Sequence, residues 1–499
     1  MGAGREVATD CIGVLDIGSN SVRLVVYEHF GRTLTPLFNE KANCALGRGV
    51  AKSGRIAPEN ASRALKAIAR FGLVVKLMKV ENVHVIATSA VREAVNGKKF
   101  MAGVELLMET KGHILSGEEE AHYAARGIVF GMPDFSGVVG DLGGGSLELS
   151  MVGSKKDFSG ETYPLGAIRL ETDSGGALSM AMKIAKKHLE KSPVLDAKGH
   201  ETFCAIGGTW RAFASLMQVR SQYPLHMVQN YRVRAGDALE LCHEIVDNAG
   251  NVTGIEAVSR GRRYLLAYGA VVMASVLERG NFKHIVFSSH GVREGYLFER
   301  LEEKEARRDP LIVASEEICH LRARSVAHAN ELVEFTRRFI EKTGEKESFA
   351  QRRLRHAACL LSDIGWRGHR DYRGEQSVDL VAYSALIGVD HPGRAFMAEI
   401  LAVRYMGLNH KSSSQKLFEL MGAKAQYRAR TIGALVRLAY VLSGAMPQIL
   451  PKVDFEITQK KLVLMIPGEY SFLDSLRLQS RLAQLAQHIK MDHSEIVFV

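Results

Sequence analysis

The sequence predicts an α/β protein of several domains: two α/β domains, then a helical domain, then a small α/β tail. Three observations carry this. A chain of 499 residues is too long for one ordinary core. A strand–glycine turn–strand pattern occurs twice, in "VLDIGSNSVRL" and "VGDLGGGSLEL". Near residue 310 the hydrophobic spacing changes from mixed to almost wholly helical.

The elements follow in order. Residues 12–30 read as a strand, a tight turn and a second strand. Residues 59–79 have helical spacing, 83–88 ("VHVIAT") read as a buried strand, and 118–130 read as a helix. Residues 137–152 then repeat the opening pattern: apolar, Asp, apolar, Gly, two residues, Ser, two residues, Leu. Shared order and spacing indicate an internal duplication. A third glycine turn follows an apolar strand in "FCAIGGT", 203–209. Residues 301–310, "LEEKEARRDP", read as a linker, and 315–445 as helices. From Val453 a hairpin-like pair, an amphipathic helix and the terminal strand "SEIVFV" complete the chain. The expected domains are 1–134, 135–305, 306–445 and 446–499.

Composition narrows the function. The chain is 46% hydrophobic and 24% charged, and no apolar run approaches the roughly 18 residues of a membrane span. The opening "MGAGREVATD" lacks the apolar core of a signal peptide. The six cysteines, at 11, 44, 204, 242, 319 and 359, have no CxxC spacing, which disfavours zinc and redox pairs. A reducing cytoplasm is the expected location. A formal charge of +10 leans toward a polyanionic substrate.

A turn of small residues after a strand exposes consecutive backbone N–H groups that can reach phosphate oxygens. The donors expected on one side are Gly18, Ser19, Asn20 and Ser21, and on the other Gly143, Gly144, Gly145 and Ser146. The competing reading is a pair of hairpin turns that use glycine for positive φ. Duplication of the whole pattern, aspartate included, favours phosphate. Asp141 and Asp16, at the strand ends, are the expected ligands of Mg²⁺; a turn-capping role is the alternative.

"DIGSNSVRL", "ATSAVREA", "ILSGEEEA", "GDLGGGSLEL" and "AIGGT", in this order, resemble the exopolyphosphatase and guanosine pentaphosphate phosphohydrolase family. "RGRRYLLAYGA" and "SSHGVREGYLF" extend the resemblance to about residue 300. That family belongs to the actin, sugar-kinase and heat-shock ATPase superfamily. The resemblance implies two actin-like (ribonuclease H-like) lobes with phosphate bound in an interlobe cleft. It further implies an all-α His-Asp phosphohydrolase-like domain after 310, where Ser362 and Asp363 stand in place of His-Asp, and a homodimer. Neither a nucleic acid nor a membrane is an expected partner.

The resemblance places the catalytic glutamate on Glu120, leaving Glu118 and Glu119 as first-turn acids that suit the positive helix end. It places a second cleft acid at Glu148 and a phosphate-reaching arginine at Arg92, whose planar fork suits phosphate oxygens. Gly207, Gly208 and Thr209 match the superfamily's third loop, although Trp210 follows them. Arg23, in the strand after the first turn, reads equally as a phosphate contact or the partner of an acid.

The expected activity is Mg²⁺-dependent hydrolysis of the terminal phosphate of inorganic polyphosphate. The alternatives are hydrolysis of guanosine pentaphosphate at the same site, a non-catalytic phosphate or nucleotide sensor, and a sugar kinase. Lys411, Lys416, Lys424 and Arg428 form an expected polyphosphate track, or else a solvated helical face.

Overall fold

Among the described residues, three sheets organise the chain. The structure is a computed structural model, and it describes residues 10–153, 160–412, 415–458 and 460–499. Most of the opening decapeptide lies outside the described residues. The chain divides after Arg308 into two compact units.

The first sheet of the first unit contains β1 (Ile12–Ile17), β2 (Ser21–Tyr27), β3 (Pro36–Asn43), β4 (Asn82–Ala87) and β5 (Gly112–Ile114), in the order β3-β2-β1-β4-β5. β1 lies at the centre, antiparallel to β2 and parallel to β4. A strand covered on both faces needs a nearly continuous apolar run, and "IGVLDI" has one, with Asp16 as its one partly exposed position. β3 alternates between exposed and half-buried residues, as an edge strand does.

The second sheet contains β6 (Gly137–Leu142), β7 (Leu147–Val152), β8 (Glu161–Tyr163), β9 (Thr202–Ile206), β10 (Tyr231–Arg234) and β11 (His284–Phe287), in the order β10-β11-β9-β6-β7-β8. β6 is antiparallel to β7 and parallel to β9. β1 has the same arrangement with β2 and β4, so the sequence repeat is also a repeat of strand pairing.

Each sheet has a main core on one face. Leu15, Ile17 and Leu24 pack with Ile68 and Phe71 of the helix Pro58–Leu77. Leu142, Leu147 and Phe203 pack with Trp210 and with Leu266 and Val271 of the helix Arg260–Gly280. On the opposite faces, the helix Gly117–Gly131 covers Val139, Cys204 and Ile206. The helix Val292–Phe298 covers Val14, Val25 and Ile86. These two helices meet backbone to backbone. A Cβ on Gly295 would lie 1.8 Å from the Tyr123 carbonyl oxygen, and one on Gly127 would lie 2.2 Å from that of Gly291. Alanine at either glycine would overpack the contact, at about 1–3 kcal/mol or more.

In the second unit, helices Pro310–Arg322, Val326–Lys342, Phe349–Leu361, Arg373–Tyr383, His391–Met406 and Ala423–Ser443 precede a three-stranded sheet. Asp309 starts the first of them. Its carboxylate accepts the backbone N–H groups of Leu311 and Ile312, and Pro310 occupies the first helical position. The sheet, β12 (Asp454–Ile457), β13 (Lys461–Ile466) and β14 (His493–Phe498), packs against the helix Leu476–His488. Among the described residues, no helix is long and apolar enough to cross a membrane.

Candidate active site

The duplicated turns have the same internal hydrogen bond. Gly18 N–H donates to the Ser21 carbonyl and Gly143 N–H to that of Ser146, each at 3.0 Å. The turns pack directly against each other. Ser19 Oγ lies 3.0 Å from Ser89 Oγ. A Cβ on Gly144 would stand 3.0 Å from Ser19 Cβ and 3.2 Å from Ile168 Cδ1, and one on Gly145 would stand 2.7 Å from Ser89 Oγ. None of Gly143, Gly144 and Gly145 has positive φ, so hairpin strain does not explain the triple glycine. Close approach of the turns explains Gly144 and Gly145. Gly143 is different: the nearest atom to its Cβ position is the Ser146 carbonyl oxygen at 3.4 Å, and it faces a cleft.

The cleft, about 230 Å³, lies between the two sheets of the first unit. Of the expected phosphate contacts, Asn20, Ser21, Gly143, Gly144, Gly207, Gly208 and Thr209 line it. Gly18, Ser19, Gly145 and Ser146 are not among the lining residues; Ser19 and Ser146 are buried behind it. Gly207, at φ 105°, is pressed against β6, where a Cβ would lie 2.3 Å from the Leu142 carbonyl oxygen. Trp210 turns away into the core, and its indole N–H donates to the Gly269 carbonyl at 3.0 Å.

One end of the cleft is acidic. Glu120 is brought there by the helix Gly117–Gly131, whose start Ser116 and Glu119 cap reciprocally, a motif worth about 1 kcal/mol. That box occupies Glu119 and leaves Glu118 exposed. Glu120 is one turn in, 6% exposed and ion-paired with Arg92 Nη1. The same nitrogen donates to the Leu115 carbonyl at 2.7 Å. Burial pushes the Glu120 carboxyl up to about 7; Arg92 opposes this, and Asp141 and Asp16 add to it. Arg92 is not a lining residue of the cleft, as the sequence led one to expect, but the partner of the acid.

Glu148 is 4% exposed, and its Oε1 is buried without a hydrogen-bond partner. Burial raises its pKa well above the ordinary value, with Glu120 and Asp141 adding to the effect. Asp141 is raised to about 6, by burial first, against the pull of Arg211. Asp16 is raised by burial and is offset chiefly by Arg293, 4.0 Å away. Arg293 is itself tied to Glu294 and donates through Nε to Tyr27 Oη at 3.0 Å.

The other end of the cleft is basic, and the sequence reading missed most of it. Lys41, Arg23, Arg211 and Arg262 all line it. Arg23 donates to the neutral Asn39 amide at 2.8 Å, so no acid pairs with it there. Arg211 donates to the Ser289 carbonyl at 3.1 Å. Burial lowers the pKa of Arg211, Arg23 and Arg262; with neighbouring cations acting in the same direction on the first two, Arg211 comes to about 10. Two signals were available. Arg211 stands two residues after the third glycine turn, and Arg262 lies in the conspicuous "RGRR" run. Lys41 has no local signal, because its neighbours come from other strands.

The sequence-marked residues of the second unit are arranged otherwise. Asp363 receives two bonds from the Arg324 guanidinium, each 2.8 Å, and a third from the Arg324 backbone N–H at 3.3 Å, and faces Arg404 at 3.3 Å. Ser362 is bonded to the Cys359 carbonyl and Tyr440. Lys411, Lys416 and Lys424 are exposed. Arg428 is not: it is 4% exposed and ion-paired with Glu345 and Glu347, which removes it from the expected track. Among the described residues, no three His, Cys, Asp or Glu side chains converge as metal ligands.

A cleft that brings buried carboxylates together with cations that make no ion pair among the described residues suits a polyanion. The Ppx/GppA phosphatase family model matches residues 25–304, and the exopolyphosphatase C-terminal model matches residues 311–496. The chain belongs to the Ppx/GppA phosphatase family. It is 23% identical over 491 residues to the guanosine-5'-triphosphate,3'-diphosphate pyrophosphatase of Photobacterium profundum, covering 95% of each chain. It is 26% identical over 311 residues to exopolyphosphatase 2 of Mycobacterium tuberculosis, 57% of this chain and 96% of that one. A solved Ppx/GppA enzyme of Aquifex aeolicus overlays with a TM-score of 0.49 at 22% identity, covering 58% of this chain and 98% of that one.

Proposed function

We propose that the chain is an exopolyphosphatase that removes terminal orthophosphate from inorganic polyphosphate, with the first unit forming two actin-like lobes around the active cleft. The observation that carries this reading is the division of charge within one cleft. Phosphoanhydride hydrolysis depends on positioning and electrostatics more than on covalent chemistry. The basic wall of Lys41, Arg23, Arg211 and Arg262 holds the chain, and the acidic end meets the terminal phosphoryl group. Glu120 takes a proton from water as the water oxygen bonds to the terminal phosphorus. The bridging P–O bond breaks, and its electron pair leaves on the shortened chain, whose new charge the cations offset. Arg92 favours the ionised form of Glu120 against burial and fixes its orientation.

Mg²⁺ fits the acidic end. Glu148 presents a buried carboxylate oxygen with no protein partner, and like charges surround it. Asp141 and Glu148 would hold the ion; Mg²⁺ needs only one or two carboxylates when phosphate and water supply the rest. Asp16 is the weaker candidate, because Arg293 already offsets its charge. When bound, Mg²⁺ would neutralise phosphate oxygens.

Lys411, Lys416 and Lys424 are the proposed polymer contacts of the second unit, in which a degenerate His-Asp-like helical domain precedes the small α/β tail. A cytoplasmic homodimer is the proposed working form; six free, buried cysteines suit a reducing compartment.

A second reading has its own support. The Photobacterium profundum pyrophosphatase matches nearly the full length of this chain, so guanosine pentaphosphate is the competing substrate for the same cleft. Phosphate release with long polyphosphate and guanosine pentaphosphate supplied side by side tests both. Faster release from polyphosphate supports the first reading. Release from the nucleotide alone supports the second.

A further inference from the structure

The two halves of the duplication differ in one cross-strand partner. In the second sheet Asp141 opposes Glu148. In the first, Asp16 opposes Arg23, and Arg23 in turn opposes Lys41 across β2 and β3. The result is a row, Asp16–Arg23–Lys41, that crosses the sheet from the acidic end to edge strand β3. Its ends are two strand spacings apart, roughly 10 Å. Like charges directly opposite destabilise a sheet. Here the like-charge pair has no acid between its members, and the Lys41 side chain makes no hydrogen bond or ion pair among the described residues. A like-charge pair inside a cleft, one member of which has no side-chain partner, marks a site whose partner is the ligand.

We propose that Lys41 is a specificity-determining contact for the phosphates beyond the one being cleaved, and that it grips them only as an ammonium, so that binding the chain takes up a proton. This rests on reading the cleft as that of a polyphosphate hydrolase. The charged groups that face Lys41 are Arg262 and Arg211 from two helices, Arg23 from β2 and Asp16 from β1. Arg293 and Glu294 lie beyond Asp16. Among the cations of the wall Lys41 is the one that titrates near pH 8; the guanidiniums stay charged there. Burial first, and then the three arginines, push its pKa down to about 8, against Asp16. A polyanion raises it again. Affinity is therefore full below pH 8 and falls as pH rises through about 8, where the free protein must first regain the proton.

The test compares Lys41→Arg and Lys41→Gln with the parent. Tripolyphosphate is titrated calorimetrically at pH 8 into each, all carrying Glu120→Gln to slow turnover, in two buffers of different ionisation enthalpy. The parent should take up about half a proton more than Lys41→Arg; protons gained by the tripolyphosphate itself cancel in that difference. In the otherwise native enzyme, KM should rise above pH 8 for the parent and stay flat for Lys41→Arg. Lys41→Gln should raise KM about tenfold at pH 7 and meet the parent curve at high pH. A purely structural role would not let arginine hold affinity while abolishing the pH slope. Equal proton uptake by parent and Lys41→Arg overturns the proposal even if polyphosphate is hydrolysed. If the native enzyme releases no phosphate from polyphosphate at any pH, the functional reading beneath it falls instead.

Discussion

Asp141 and Glu148 stand directly opposite each other across β6 and β7, two carboxylates where an antiparallel ladder ordinarily places a neutral or oppositely charged pair. The matching position in the first sheet pairs Asp16 with Arg23. One substitution across a duplicated hairpin thus separates the acidic from the basic end of the cleft.

The opposed carboxylates store instability. Glu148 is protonated more readily in the folded chain than in the unfolded one, so the stability it contributes is present below its ordinary pKa and lost as pH rises. Glu148→Gln should stabilise the first unit by about 1–3 kcal/mol at pH 8 in chelator, with little gain near pH 4. The same variant should need more Mg²⁺ for half-maximal activity. Thermal unfolding at the two pH values, and activity against Mg²⁺ concentration, check this. An unchanged Mg²⁺ requirement would remove Glu148 from the metal.

Glu120 acts as a base only when ionised. With its carboxyl at about 7, kcat/KM should rise with pH up to about 7, by about tenfold per unit on the acid side. A pH profile of polyphosphate hydrolysis measures it. A flat profile between pH 5 and 8 would contradict the assignment.

The glycines of the second turn should separate by role. Gly144→Val meets Ser19 and Ile168 and should lose about 1–3 kcal/mol of stability along with activity. Gly143→Ala meets only a carbonyl oxygen at 3.4 Å; it should fold normally and lose activity, because its side chain enters the cleft. Full activity of Gly143→Ala would make the turn purely structural.

Neutralising Lys411, Lys416 and Lys424 together should weaken long polyphosphate and flatten its salt dependence, because fewer counterions are released. Short substrates should be unaffected. Arg428 is left intact, since removing it would leave Glu347 and Glu345 short of a partner. Equal losses for long and short substrates would indicate general damage.

The duplicated hairpins, the three glycine turns and the helix carrying Glu120 were legible in the sequence, because each is a local pattern of apolar run, small residues and cap. What the glycines pack against was not legible. Gly144 and Gly145 meet Ser19 and Ser89, far away in the chain, so spacing alone suggested phosphate for all three. The Arg92–Glu120 pair joins two helices and was likewise hidden. Lys41 joins the site only through the register of β2 and β3. Arg428 illustrates the converse: a basic run on a helix looked exposed, but Glu345 and Glu347 from another segment bury it.

The central claim is that Glu120 removes a proton from the water that attacks the terminal phosphate. The direct measurement is phosphate release from long polyphosphate by the native chain and by Glu120→Gln, with binding of the same polymer measured alongside. The account predicts a rate about 10²–10⁴-fold lower in the variant, with polymer binding largely retained. Near-native phosphate release by Glu120→Gln would contradict it.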